Sequence, residues 1–157
     1  MEQGIGFSYL IATGNEAHVG MADIINFMVE DTHTQVIMAF IEGIRDRGKF
    51  LEAVHKAWKK KKPIIVLKIG RSDAGKTSAL SHTGSLAGSE MVNEAAFKQN
   101  RVLIAEDVDD LIESARIFTQ SALPHGDGIG VVSTSGGMAG LAADLIQKRG
   151  LRMGSLL

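Results

Sequence analysis

Residues 36–70 read VIMAFIEGIRDRGKFLEAVHKAWKKKKPIIVLKIG, a strand, a helix and a second strand in succession. Val36–Ile41 and Ile64–Ile69 are short runs rich in β-branched and aliphatic residues. Runs this continuously apolar belong to strands covered on both faces. Between them, Phe50, Leu51, Val54 and Trp58 share one side of a helix over Phe50–Trp58. A crossover of this kind joins parallel strands, so the segment is a βαβ unit.

The same alternation extends in both directions. Phe7–Thr13 reads as a strand and Met21–Val29 as a helix on the N-terminal side; Ser85–Lys98 as a helix, Val102–Ala105 as a strand and Val108–Thr119 as a helix on the C-terminal side. Val108, Leu111, Ile112 and Ala115 line one face of the last helix, and Asp107 is placed to cap it. Repeated βα units predict an α/β fold with a doubly wound, mostly parallel sheet.

Leu123-Pro124-His125-Gly126-Asp127-Gly128 is rich in turn formers and reads as a linker, residues 123–128, with one domain over 1–122. Beyond it, Ile129–Ser133 reads as a strand, Thr134–Gly137 as a small-residue loop, Met138–Lys148 as a helix and Leu151–Met153 as the next strand, so 129–157 is the opening of a further βα unit. One strand and one helix bury too little apolar surface to stand alone. The abrupt start at Met1-Glu2-Gln3 and the abrupt end together suggest a piece of a larger polypeptide.

Bulk properties narrow the classes of function. The 157 residues are 45% hydrophobic, enough for a real core, and carry a formal net charge of −1 with interspersed signs, so no basic field awaits a nucleic acid. Lys59–Lys62 is the one like-charge run, read as a solvated helix end ahead of Pro63. The absence of cysteine removes disulfides, thiolate nucleophiles and cysteine-ligated metals. No apolar segment approaches the roughly 20 residues of a membrane-spanning helix. The expectation is a cytoplasmic protein with neither a nucleic-acid nor a membrane partner, and no set of residues has metal-ligand spacing.

The chemistry concentrates in Gly70–Glu90, GRSDAGKTSALSHTGSLAGSE, which supports two incompatible readings. Gly70-x-x-x-x-Gly75-Lys76-Thr77 matches a nucleotide-binding P-loop, preceded by the strand that such a loop needs, and Asp107 could pose as its magnesium-positioning acid. A P-loop delivers phosphate to a sustained helix, however, and Ser81-His82-Thr83-Gly84-Ser85 interrupts soon after Lys76. The second reading centres on His82. A neutral imidazole is a competent phosphoryl acceptor near pH 7, and it needs a partner to fix its tautomer. Glu42, directly after Val36–Ile41, stands where a carboxylate could reach from a neighbouring strand end. Thr83 and Gly84, at the head of Gly84–Gly88, and Ser135, Gly136 and Gly137 offer backbone N–H groups for an anionic phosphoryl. The plainer alternatives are that His82 is a turn histidine and Glu42 a polar strand end; His18, His33, His55 and His125 are read as ordinary surface or turn histidines.

Ser81-His82-Thr83-Gly84-Ser85-Leu86-Ala87-Gly88-Ser89, with Lys68-Ile69-Gly70-Arg71-Ser72 before it and Ala95-Ala96-Phe97 after it, closely resembles the NDP-forming acyl-CoA synthetases, the ADP-forming acetyl-CoA synthetase and succinyl-CoA synthetase group. Gly4–Ser8, Thr13-Gly14-Asn15, Ile41–Ile44 and Ser133–Gly140 extend the likeness over nearly the whole chain. The resemblance implies that 1–122 is a succinyl-CoA ligase-like flavodoxin domain and that 129–157 begins a further flavodoxin-like subdomain. It implies that His82 is transiently phosphorylated and that Glu42 steadies it. Thr83, Gly84, Ser135, Gly136 and Gly137 would hold the phosphate. The implied reaction is acyl-CoA, phosphate and ADP to carboxylic acid, CoA and ATP, reversibly. No covalent cofactor is implied: CoA, phosphate, ADP or ATP and Mg²⁺ enter as substrates or ions, bound mainly by a CoA-binding Rossmann domain and an ATP-grasp domain or subunit outside this chain. The isolated chain is therefore expected to be inactive. A P-loop NTPase, or a non-catalytic acyl-CoA-sensing or acyltransferase-associated module, are the competing possibilities, and the intact His82 points away from the latter.

Overall fold

A computed structural model describes residues 5–70, 90–120 and 125–154, which divide into two compact units, Met1–Ser121 and Ala122–Leu157. The first contains α1 (Met21–Glu30), β1 (Ile37–Ile41), α2 (Arg47–Lys59), β2 (Ile64–Lys68), α3 (Glu90–Gln99), β3 (Leu103–Ala105) and α4 (Val108–Gln120). Its strands pair in the order β1-β2-β3, all parallel, with Ile37 opposite Ile64 and Ile65 opposite Leu103.

Every residue of β2 is buried. Ile64 and Val66 join β1 residues Ile37, Ala39 and Ile41, α1 residues Ala22, Ile25 and Val29, and α2 residues Phe50, Ala53, Val54 and Ala57 in one core. Ile65 and Leu67 point the other way and meet Ala105, Leu111 and Ala115. The alternation of a strand's side chains thus feeds two helix layers from one strand. Phe97 of α3 closes the first core by an edge-to-face contact with Phe50, centroids 6.0 Å apart.

Local signals account for the helix starts. The Asp46 carboxylate accepts from Lys49 N–H at 2.9 Å and caps α2; Asp107 accepts from Asp110 N–H at 2.8 Å and caps α4 as expected. Asp23 accepts from Gly20 N–H at 3.0 Å at the head of α1, which holds its carboxyl below the ordinary carboxylate range.

Phe7–Thr13 is not a strand: it makes no ladder, and Phe7, Tyr9, Leu10 and Ile11 are exposed. It runs beside the outer edge of β1, separated from it by a cleft of about 1170 Å³ lined by Ile5–Glu16, β1, α1 and α4. Nearest to a tie, Ser8 Oγ donates to the His33 carbonyl at 3.2 Å and the Tyr9 ring meets Phe27 edge-on at 5.3 Å. Apolar strand-like sequence without a backbone partner stays irregular, because ladder hydrogen bonds come from the neighbour. Trp58 is on the surface, with the Arg101 guanidinium 4.0 Å above its ring; Ala53 and Ala57 take the buried positions, since close approach of α2 to α1 favours small side chains. The lysine run is also not merely solvated. Lys60 Nζ pairs with Glu30, and Lys62 Nζ donates to the carbonyls of Met28, at 3.1 Å, and Asp31, binding the end of α2 to the end of α1.

The second unit contains β4 (Gly128–Ile129), α5 (Gly136–Lys148) and β5 (Arg152–Met153), with β4 and β5 parallel. The strand expected over Ile129–Ser133 is shorter than its apolar run, and Val132 is fully exposed. A two-stranded sheet leaves later residues without a ladder partner. Arg152 holds Asp127 through Nε at 2.9 Å and Nη2 at 2.6 Å, and this fork keeps the Asp127 carboxyl below its ordinary range.

Glu30 joins the two helix ends. Lys56, at 2.6 Å, and Lys60 hold its carboxyl down from an ordinary value of 4.5 to about 2. A depressed folded-state value contributes stability that is complete above the ordinary value and lost as pH falls through the folded one. Urea unfolding of Glu30→Gln is expected to show a shallower loss of stability between pH 4.5 and about 2 than wild type. The difference should shrink in molar salt, because both partners are at the surface.

Candidate functional site

Parallel strands put their carboxyl ends on one edge of the sheet, and in open α/β sheets ligands bind outside that edge. Here the edge is made by Glu42 after β1, Ile69 and Gly70 after β2, and Glu106 and Asp107 after β3. Sequence alone pointed to Glu42. It is half-buried, in the bend where β1 leaves the ladder, and it lines the cleft together with Gly43, Arg45, Ile69 and the Thr13–Glu16 turn. That turn is closed by Glu16 N–H to the Thr13 carbonyl at 3.4 Å, with Gly14 left-handed at φ +57°.

β1 and β2 stay tied past the last ladder residues. Ile69 N–H donates to the Ile41 carbonyl at 2.9 Å, and the Lys68 ammonium donates to the Glu42 carbonyl at 2.6 Å and to the Ile69 carbonyl. Lys68 is only 7% exposed, one of two buried polar residues among those described, with Thr34. Sequence reasoning took Lys68 only as part of a strand and a motif. The signal that could have singled it out is a charged residue ending a fully apolar run, just before a glycine. A long aliphatic stem can bury in such a strand while its ammonium reaches backbone carbonyls at the rim.

The chain then leaves β2 through Gly70, left-handed at φ +73°, and continues into 71–89. His82, Thr83 and Gly84, together with the P-loop-like Gly75-Lys76-Thr77, lie outside the described residues. The remaining expected phosphate contacts belong to the second unit. Ser135 caps α5 by accepting from Met138 N–H at 3.4 Å, and Ser133 Oγ accepts from Ser135 N–H and donates to the Ser135 carbonyl, both at 3.1 Å. Gly136 and Gly137 form the first turn of α5, and a Cβ at Gly136 would meet nothing within 4 Å. This leaves the backbone N–H groups of an open helix start, with the positive end of the helix dipole. Among the described residues no group of three or more His, Asp or Glu could hold a metal ion, and no helix is long and apolar enough to cross a membrane.

Comparison with known proteins extends this picture. The family model described as succinyl-CoA ligase like flavodoxin domain matches residues 1–118. The alpha subunit of acetate–CoA ligase [ADP-forming] II from Pyrococcus furiosus is 44% identical over 156 residues, 99% of this chain and 34% of the subunit. The 4-hydroxybutyrate–CoA ligase [ADP-forming] of Nitrosopumilus maritimus is 34% identical over 98% of this chain and 22% of its own length. Among solved structures, the dinucleotide-forming acetyl-coenzyme A synthetase 1 of Ca. Korarchaeum cryptofilum, in complex with phosphate and ADP, superposes with a TM-score of 0.80 at 32% identity, over 94% of this chain and 32% of that one. The chain therefore spans about a third or less of the length of the relatives it matches.

Gly70 is the residue on which the described chain leaves β2, and its φ of +73° is one that a Cβ disfavours. Gly70→Ala is expected to destabilise the chain by about 1–2 kcal/mol, and Gly70→Asn by less, because asparagine tolerates this region. Urea unfolding with an unchanged m-value checks both.

Proposed function

Because this chain belongs to the succinyl-CoA ligase like flavodoxin domain family, we propose that it is the phosphoryl-carrying domain of an NDP-forming acyl-CoA synthetase, with His82 as the group that is transiently phosphorylated. The observation that carries the reading is the tie between Glu42 and the exit of β2. The end of β1 that bears Glu42 is fixed beside the exit of β2, the strand that precedes Ser81-His82-Thr83-Gly84 in the sequence.

Phosphate attacks the acyl-CoA carbonyl and CoA leaves as the thiol, giving an acyl phosphate. An imidazole nitrogen of His82 attacks phosphorus, the bond from phosphorus to the acyl oxygen breaks, and the free carboxylate departs. A terminal oxygen of ADP then attacks the same phosphorus, the phosphorus–nitrogen bond breaks, and ATP and neutral His82 result. Glu42 accepts a hydrogen bond from the other ring nitrogen, which fixes the attacking tautomer and offsets the positive charge of the phosphorylated ring. Backbone N–H groups of Thr83 and Gly84, and of Ser135, Gly136 and Gly137 at the start of α5, would hold the phosphoryl oxygens. Residues 129–157 would open a further subdomain that supplies the second set. The CoA-binding Rossmann domain, the ATP-grasp domain or subunit and Mg²⁺ belong to the same proposal, as does a cytoplasmic location. The Pyrococcus relative is named as an alpha subunit, which supports a larger assembly.

The full-length protein containing this chain, incubated with Mg²⁺ and ATP radiolabelled in its γ-phosphate, should acquire an acid-labile, base-stable phosphoryl group. His82→Asn should abolish it, and Glu42→Gln should slow its formation by about 10²-fold, the scale of a lost orienting or acid–base group. Label that persists in His82→Asn would overturn the assignment.

A further inference from the structure

Lys68 is a buried cation with no part in the chemistry described above. Removing an ammonium from water is costly, and a protein retains one where several dipoles replace the lost hydration. Two of its hydrogen bonds go to the carbonyls of Glu42, at 2.6 Å, and Ile69. The register explains the choice of partners: Lys68 lies opposite Ile41, the last residue of β1, so its side chain reaches the first carbonyl beyond the ladder. Glu42 is already in a bend there, where no strand partner orders its backbone.

From this geometry we infer that Lys68 is a positioning residue for Glu42: its ammonium clamps the Glu42 backbone to the exit of β2 and so sets where the Glu42 carboxylate stands. The inference rests on the reading of Glu42 as the partner of His82. A hydrogen bond from a charged donor is short and strong, and it acts on the main chain, which leaves the carboxylate free to meet another group. Small errors of placement are expensive in orienting groups, so a clamp one residue away from the reacting atoms is felt in the rate.

The test is a double-mutant cycle in the full-length protein, reading the initial rate of phosphoryl labelling at His82. Lys68→Met keeps the stem and removes the ammonium; Lys68→Gln retains one donor and serves as the second variant if Lys68→Met does not fold, as judged by circular dichroism. Lys68→Met is expected to slow labelling about tenfold, and Lys68→Gln by less. In a Glu42→Gln background neither substitution should slow labelling further. An equal additional loss in that background would overturn the inference, since Lys68 would then act on the phosphoryl group or on the fold at large. Labelling of Lys68→Met at the wild-type rate would overturn it too. Absence of label in the wild type is a separate outcome that removes the reading of His82 and, with it, the role given to Lys68.

Discussion

The burial of β2 on both faces is the constraint from which the rest of the first unit follows. Ile64 and Val66 demand a helix layer on one side, and Ile65 and Leu67 demand another on the opposite side. Each such side chain contributes about 1.5–3 kcal/mol when fully buried. A strand that apolar can only be central, and a central parallel strand has its neighbours delivered by crossovers through α2 and α3. The strand's last residue then inherits a burial it cannot escape, which is why the ammonium of Lys68 turns to main-chain carbonyls rather than to water.

This arrangement links core and site more directly than their separation in sequence suggests. Residues that hold β2 in register also set the height at which Lys68 reaches Glu42. Likewise, the helix caps at Asp46 and Asp107 begin α2 and α4 just beyond strand ends on the same edge of the sheet, so the turns around the candidate site are held at both of their ends.

How much was legible in advance depended on where the deciding partner lay. β1, α2, β2 and α4 were readable because their periodicity reflects their own burial, and Asp107 because a cap acts within one turn. Phe7–Thr13 was misread because a strand is defined by its neighbour, and its composition carries no record of whether one is beside it. Trp58 and the lysines were misjudged for a related reason: a helix face that packs on another helix selects alanine, and a lysine at a helix end is tied only if a second helix ends beside it. In the candidate site Glu42 was visible from its place after an apolar run. The bond from Lys68 to its carbonyl was not, since that contact spans 26 positions and involves main chain rather than a motif.

The outer edge of β1 adds a consequence for how such a unit behaves outside its native surroundings. Among the described residues β1 pairs on one side only, and its sequence, Ile-Met-Ala-Phe-Ile, contains no charge and no proline, while Phe40 is 56% exposed. Soluble proteins guard free edges with lysine, proline or a bulge, because unpaired N–H and C=O groups template the addition of another strand. β1 carries none of these guards. Among the described residues that edge is shielded not by its own side chains but by the segment Ile5–Glu16 across the cleft, so the guard of this strand lies in a stretch of chain that makes no ladder with it.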